Sequence, residues 1–214
     1  MINSPKLVLA IESAIAGGSL SLSQGNKEIA HWIGSSDVLR AENLLVNIDE
    51  MLITNSVDKR ELDLIAVSAG PGSFTGIRIG IATALGLKAG LGIRMIVVSL
   101  LEAMIFGTPS SSNVTCALPV GRGAVCFQDF CIGDVSAIAT SKPTNIKEDE
   151  FADRVNSEPD RHFMLYPTLC ENGAEPNDAT DVGYNLAKLI GAKGLENSLA
   201  DKPDVSPIFV SKTF

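Results

Sequence analysis

The sequence has few of the residue types on which metal and thiol chemistry depend. Its 214 residues include two histidines, His31 and His162, and four cysteines. The histidines belong to no HxxxH or HExxH motif, so we predict no zinc site. The cysteines form no CxxC pair, and we predict free thiols in a reducing compartment. A serine in a G-x-S-x-G motif is also missing, which argues against a hydrolase of that type.

Long uninterrupted apolar segments are absent too, although 45% of the residues are hydrophobic. Charged side chains keep each apolar run below the roughly 18 residues that a membrane span needs. These are Arg78, Lys88, Arg94 and Glu102. The apolar run Leu7–Ile11 is too short for a signal peptide, so we expect no membrane segment and a cytoplasmic location.

Basic charge is scarce, particularly in the second half of the chain. Residues 1–107 contain 8 basic and 10 acidic side chains, whereas residues 108–214 contain 9 and 15. An acidic surface binds a phosphate backbone poorly. If the protein acts on RNA, we therefore expect a partner to hold most of it.

A glycine-rich segment, Ser68–Gly80 (SAGPGSFTGIRIG), dominates what the sequence does contain. The apolar run Leu62–Val67 leads into it and predicts a buried strand. Gly70 and Gly72 flank a proline, which predicts a tight turn that only glycine accommodates.

A helix is predicted over Gly76–Leu91, capped by Ser73 or Thr75. It is apolar on almost every side, and a helix of that kind in a soluble protein must be covered on every side. Four glycines inside it would each cost roughly 1 kcal/mol relative to alanine. Two explanations stay open at this point. Either the helix lies wholly in its own core, or another subunit covers half of it.

The first helix, predicted over residues 38–53, carries two apolar stripes. The broader stripe suffices to dock the helix on a sheet. A narrower stripe, Leu39, Val46 and Ile53, repeats at heptad spacing on another side. It either contacts a loop or meets a second neighbour.

The predicted elements are those of an α/β protein. Residues 1–107 have the order β-β-β-α-β-α-β-α, beginning with a three-stranded meander. A polar stretch, residues 108–113, predicts a boundary between two lobes, 1–107 and 108–214. In the second lobe we predict short strands near 115–118, 124–132 and 135–140, and a loop over 171–178. We also predict helices over 147–156 and 180–190, the latter capped by Thr180 or Asp181, and a closing strand at 208–210.

Nucleotide-binding motifs are not satisfied. After Gly76 come isoleucine and arginine instead of the lysine and hydroxyl of a Walker A loop, and the glycine spacing is one residue too long for a dinucleotide fingerprint. A glycine-rich turn before a helix can still attract an anion. Five residues are candidates for such a weak anion or nucleotide contact: Glu12, Gly70, Gly72, Ser73 and Thr75.

The segment Ser68–Gly80 closely resembles the signature of the bacterial TsaB (YeaZ-like) family. Supporting similarities are Leu9–Ser13 in the first strand, Ala84–Leu87 in the helix, and Val97–Leu100 after it. Near the end, Pro207–Val210 is similar to the family's closing strand. The resemblance is strong over residues 5–106 and weak over most of the rest.

The resemblance implies an actin-like/Hsp70-like ATPase (ribonuclease H-like) fold with a decayed nucleotide site. It implies a non-catalytic subunit that helps to make threonylcarbamoyladenosine at position 37 of tRNAs reading codons that begin with A. The implied partners are the catalytic paralogue TsaD and the ATPase TsaE, with tRNA contacted through the complex. No cofactor is expected to bind tightly, while ATP or ADP at the interface shared with TsaD and a homodimer through the same helices stay open.

The family pairs through the two helices predicted above. The implied interface residues are Leu39, Val46, Ile53, Gly76, Ile77, Gly80, Ile81 and Ala84. The glycines would allow close approach of a partner, so Gly80→Leu is expected to abolish pairing and leave the monomer folded.

Several positions depart from the family pattern. Glu12 replaces an aspartate, Arg40-Ala41 replaces a His-Ser or His-Thr pair, and Val120-Gly121-Arg122 replaces Asp-Ala-Arg. Two rival functions are a small kinase-like phosphotransferase of the same fold and a metallopeptidase.

Overall fold

The computed structural model describes residues 5–15, 17–35, 43–106, 113–133, 137–171, 179–182 and 185–200. It forms two mixed sheets with helices packed against them. Residues 36–42, where the sequence predicts the start of the first helix, lie outside the described residues. They include Leu39 and Arg40. The predicted closing strand at 208–210 also lies outside the described residues.

The first sheet has five strands in the order β3-β2-β1-β4-β5. Its central strands β1 and β4 are continuously apolar and fully buried, as the sequence predicted. β2 and β3 pair antiparallel beside β1, which confirms the predicted meander, while β4 and β5 run parallel to β1. The strands are β1 Leu7–Glu12, β2 Ser19–Gln24, β3 Lys27–Ile33, β4 Leu64–Ser68 and β5 Arg94–Val98.

The second sheet repeats this arrangement, with the order β11-β10-β6-β7-β8 and with β9 also paired to β7. Its central strand β6 has antiparallel β7 on one side and parallel β10 on the other. The repeated topology confirms the predicted actin-like, ribonuclease H-like fold. The strands are β6 Asn113–Gly121, β7 Ala124–Ile132, β8 Ala137–Ala139, β9 Thr144–Lys147, β10 His162–Leu165 and β11 Ala179–Asp181.

The described residues form six α-helices: α1 Leu44–Thr54, α2 Phe74–Leu91, α3 Leu100–Met104, α4 Glu148–Ser157, α5 Pro167–Glu171 and α6 Leu186–Leu199. The predicted start of the last helix is wrong. Thr180 and Asp181 lie in β11, where they pair with β10, and α6 begins five residues beyond Asp181. Asn185 is its N-cap, and the Asn185 side-chain oxygen accepts a hydrogen bond from the backbone N–H of Lys188 at 3.3 Å.

Helices cover both faces of the first sheet. Because successive strand residues point to opposite faces, Leu9 and Ile65 meet α1 and α2, while Val8 and Ala66 belong to a core that includes α3 and α6. That second core continues into the second sheet through residues such as Cys116. The predicted boundary after residue 107 separates the two sheets in sequence, but α6 returns from the second half to pack on the first sheet.

Candidate functional site

The glycine-rich turn connects β4 to α2. Gly70 has a φ of +82°, in the region that favours glycine, and the following Gly70–Pro71 peptide bond is cis. Ser73 is the N-cap of α2, as predicted, and its hydroxyl accepts a hydrogen bond from the backbone N–H of Gly76 at 3.2 Å. This turn brings the start of α2 against the loop that follows β1.

The loop at Ser13 and Ala14 lies directly on the first turns of α2. The backbone N–H of Ser73 donates to the Ala14 carbonyl at 2.6 Å, and the Ser13 hydroxyl donates to the Gly76 carbonyl at 2.9 Å. A Cβ on Gly76 would overlap the Ser13 carbonyl, and one on Gly80 would overlap the Ser13 hydroxyl. These two glycines therefore permit close approach of a loop from the same chain.

This packing corrects part of the predicted interface. Gly76, Ile77, Gly80 and Ala84 are buried inside the subunit, and Ile81 is partly buried against the same core. The four buried residues cannot form an exposed pairing surface, whereas a role for Ile81 stays a prediction. The expectation for Gly80→Leu changes accordingly, because a leucine there would collide with Ser13 and destabilise the monomer itself.

Glu12, at the carboxyl end of β1, is almost completely buried. One carboxyl oxygen, Oε1, accepts hydrogen bonds from the backbone N–H groups of Ala14 at 2.5 Å and Ile15 at 3.1 Å. Burial raises the pKa of Glu12 to about 7, although these two backbone bonds act in the opposite direction. The side chain holds the loop in place and carries a proton below neutral pH.

The candidate anion contacts are only partly assembled. Ala14 links Glu12 to Gly72 and Ser73, since a Cβ on Gly72 would meet the Ala14 carbonyl. The Gly70 carbonyl accepts from the backbone N–H of Leu100 at 2.8 Å, and Thr75 is exposed at the start of α2. The N–H groups of Ser73 and Gly76 already have partners within the chain. Nucleotide or anion binding at this turn stays a prediction.

Side chains of α1 and α2 that point away from the sheet form what we call the open face. Its α1 residues are strongly exposed, at 53% for Leu45, 53% for Val46 and 75% for Ile53. In α2, Phe74 and Leu85 are each 48% exposed. Five of the ten large apolar side chains that the described residues expose thus lie on these two adjacent helices. Val46 and Ile53 were predicted from their heptad spacing.

Small residues complete the open face. Ala82, Gly86 and Gly90, spaced four residues apart on α2, are exposed, and a Cβ added to either glycine would meet no atom within 4 Å. Sequence reasoning missed this stripe, although its i, i+4, i+8 spacing is visible in the sequence. The open face therefore consists of Leu45, Val46 and Ile53 of α1 with Phe74, Ala82, Leu85, Gly86 and Gly90 of α2.

By length and composition alone, α2 is apolar enough to cross a membrane. The earlier expectation of no membrane segment rested on Arg78 and Lys88 interrupting this run. In the fold, α2 instead lies along the first sheet, with Ile77 and Ala84 buried beneath it. Packing on the sheet accounts for the buried side of α2 but not for its exposed apolar side.

Charged groups in the second sheet satisfy one another. Asp129 accepts hydrogen bonds from Arg154 at 2.8 Å and from the Thr115 hydroxyl at 2.6 Å, and both Arg154 and Arg161 bond to Glu158. This network joins α4 and the start of β10 to β7. Its charges balance, which is typical of a structural role.

The histidines and cysteines complete the description of the candidate reactive side chains. No group of three or more His, Cys, Asp or Glu side chains that could hold a metal ion occurs among the described residues. The free thiols of Cys116 and Cys126 are buried, and burial raises the pKa of each, to about 12 for Cys126. His162 is buried in β10 and His31 lies on the edge strand β3.

Comparison with known proteins adds a family context. A family model described as "TsaD: tRNA N6-adenosine threonylcarbamoyltransferase" matches residues 39–139. The "tRNA threonylcarbamoyladenosine biosynthesis protein TsaB" of Escherichia coli is 30% identical over 126 residues, which cover 58% of this chain and 54% of that protein. The protein with the same description from Haemophilus influenzae is 35% identical over 89 residues, covering 40% and 38%.

A solved structure shares the fold. The crystal structure of a Pseudomonas aeruginosa protein "with similarity to peptidase YEAZ" superposes with a TM-score of 0.69 at 16% identity, covering 96% of this chain and 100% of that one. The chain is therefore similar to TsaB/YeaZ-like proteins in part of its sequence and in its fold. It spans about half the length of the curated TsaB relatives that it matches. The structural likeness, at so low an identity, shows the shared fold.

Proposed function

We propose that this chain is a subunit of the machinery that makes threonylcarbamoyladenosine in tRNA, and that it pairs with a TsaD homologue through the open face. The proposed activity is the one that the TsaB relatives are named for. The observation that carries the pairing proposal is the exposed apolar surface of α1 and α2.

Exposed apolar side chains of this kind are typical of a surface that binds a partner. Monomeric proteins rarely expose large contiguous apolar patches, and such patches mark interaction sites. Ile53, at 75% exposure, gains little from packing within the subunit. Full burial of an exposed large apolar side chain contributes roughly 1.5–3 kcal/mol, and the side chains of the open face, which are 48–75% exposed, would gain a corresponding part of it on binding a partner.

The small stripe on α2 supports a helical partner. Gly86 and Gly90 are exposed in the interior of a helix, where each costs roughly 1 kcal/mol relative to alanine. Neither has a positive φ, so backbone conformation does not require glycine there. Small residues let a second helix approach closely, which offsets that cost once the partner is bound.

In this proposal the chain positions its partner and performs no chemistry itself. Three observations support this role: the hydrogen bonds from Ala14 and Ile15 to Glu12, the raised pKa values of the buried thiols, and the acidic second half. A TsaE homologue and tRNA would join through the complex in the cytoplasm, and ATP or ADP would bind only at the shared interface. A homodimer through the open face would compete with TsaD binding.

Reconstitution tests the proposal. The chain is mixed with the TsaD homologue from the same genome, a TsaE homologue, ATP, tRNA and a threonylcarbamoyl donor. Threonylcarbamoyladenosine in digested tRNA is then measured by mass spectrometry. We expect the product only when this chain is present, and expect the Gly86→Leu variant to lose at least about tenfold in rate.

Two results would contradict the proposal. One is full modification without this chain. The other is ATP-dependent phosphorylation of a small substrate by the chain alone, which would support the kinase-like alternative. Asn156→Leu is the matched control, because it adds a leucine at an exposed position of α4, away from the open face.

A further inference from the structure

Arg78 and Phe74 form a stacked pair at one end of the open face. The guanidinium carbon of Arg78 lies 3.7 Å from the centre of the Phe74 ring, which is close enough for a cation–π contact. Phe74 is 48% exposed and Arg78 is exposed. Arg78 forms no ion pair with any residue in the described part of the chain. The ring thus holds a charged, planar group at the surface.

The charge of α2 differs from that of the chain as a whole. The chain has a net charge of −8, but the sequence of α2 contains two cations, Arg78 and Lys88, and no acidic residue. A cation in the second turn of a helix gains nothing from the helix dipole, which favours anions at that end. The helix dipole therefore does not explain why an arginine occupies position 78.

We propose that Arg78, held on Phe74, determines partner specificity by binding a carboxylate on the partner chain. The inference rests on the proposed function, since it assumes that a protein partner covers the open face. The occupant is a helix that is apolar along most of its contact surface and carries an aspartate or glutamate opposite Arg78.

Arginine suits this task better than lysine. Its guanidinium offers a planar fork that binds a carboxylate through two parallel hydrogen bonds, and it stacks on aromatic rings. Because Phe74 fixes the plane of the group, less side-chain freedom is lost on binding. The apolar surroundings would exclude water from the bound pair and strengthen it. An apolar or basic partner would instead leave the arginine buried and unpaired, which disfavours the wrong partner.

The test measures the affinity of the full chain for the TsaD homologue by calorimetry, at low and at high sodium chloride. Arg78→Glu is expected to weaken binding by at least about 30-fold, because it places a carboxylate against a carboxylate. Arg78→Lys keeps the charge without the fork and is expected to weaken binding by about tenfold. Phe74→Leu keeps apolar bulk without the ring and should fall between the unchanged chain and Arg78→Glu.

Lys142→Glu is the control for charge reversal, since Lys142 is exposed in the connection between β8 and β9, and we expect no change in the affinity of this variant. The partner's carboxylate is then identified by finding the acidic-to-arginine substitution that restores binding to Arg78→Glu. If the unchanged chain binds but Arg78→Glu binds within threefold of it, the inference is overturned and the proposed function stands. If the unchanged chain does not bind at all, both are overturned.

Discussion

The two faces of the first sheet are both covered by helices that contain glycines, but the glycines do different things. On one face, α6 packs through Gly191 and Gly194. A Cβ at these positions would lie 3.1 Å from the Ala10 Cβ and 2.5 Å from the Ala66 Cβ. On the other face, Gly86 and Gly90 of α2 point into open space. One set of glycines is used inside the subunit, whereas a Cβ on either glycine of the other set would meet no atom of the described residues within 4 Å.

Both ends of α6 are also fixed by hydrogen bonds. The Asn185 side chain donates to Glu28 at 2.8 Å, the N–H of Ala187 donates to the Ser19 hydroxyl at 2.9 Å, and Lys6 donates to the Ser198 hydroxyl at 3.0 Å. The outer side of α2 has instead an exposed phenylalanine, an exposed leucine and two glycines. The comparison shows that the glycine content of a helix does not reveal whether the helix is fully packed within its own subunit. Only the contacts at each glycine reveal it.

The largest effect on stability is expected from a substitution on the face of the first sheet that α6 covers. Gly194→Leu would force a side chain into Ala66, and overpacking at a rigid sheet is expected to lower the free energy of unfolding by about 3 kcal/mol or more. The measurement is urea denaturation followed by circular dichroism. Gly86→Leu is the matched control on the open face. If both variants unfold at the same urea concentration, the contrast between the two faces is wrong.

An intermediate effect on stability is expected at the loop that follows β1 and packs against the start of α2. The pKa of Glu12 is about 7 in the folded protein and near 4.5 in the unfolded chain, so the folded state binds a proton more tightly. The Glu12 contribution to stability is therefore full below pH 4.5 and is lost as the pH rises through 7, by up to about 3 kcal/mol.

Glu12→Gln keeps an oxygen that can accept from Ala14 and Ile15 but has no titrating group. We expect the unchanged protein to lose stability relative to this variant between pH 5 and pH 8, as measured by urea denaturation at each pH. Parallel pH dependence of the two proteins would show that the carboxyl group is not buried as described.

The smallest expected effect is a gain in stability. Gly86→Ala and Gly90→Ala fill open space on a helix, so each is expected to raise the free energy of unfolding by roughly 0.5–1 kcal/mol. The same change at Gly76 would collide with Ser13 and should destabilise the protein. Thermal unfolding of the three variants side by side provides the measurement. A loss of stability at Gly86 would mean that its surroundings are closed within the subunit.

Much of the first sheet follows from local sequence patterns. Continuous apolar runs predicted β1 and β4, alternation predicted β2, and Ser73 was one of the two residues predicted to cap α2. The exposure of Val46 and Ile53 agrees with their position outside the main apolar stripe of α1. These signals depend on neighbours in sequence, which explains why they could be recognised.

Other features depend on contacts between distant parts of the chain. Periodicity divides α2 into sides but cannot say which side meets the sheet, so Gly76 and Gly80 were assigned to the wrong surface. The contact that explains them joins Ser13 to Gly76, 63 residues apart. The short strands β9, β10 and β11 were missed because three or four residues show no clear period.

The most direct test of the open face is the binding of the TsaD homologue to Gly86→Leu, measured by light scattering after size exclusion. We expect the Gly86→Leu variant to be folded and as stable as the unchanged chain. In the mixture with the TsaD homologue, we expect it to elute as a single subunit. Asn156→Leu is predicted to form the complex normally. A complex of unchanged affinity with Gly86→Leu would contradict the assignment of the partner surface to α1 and α2.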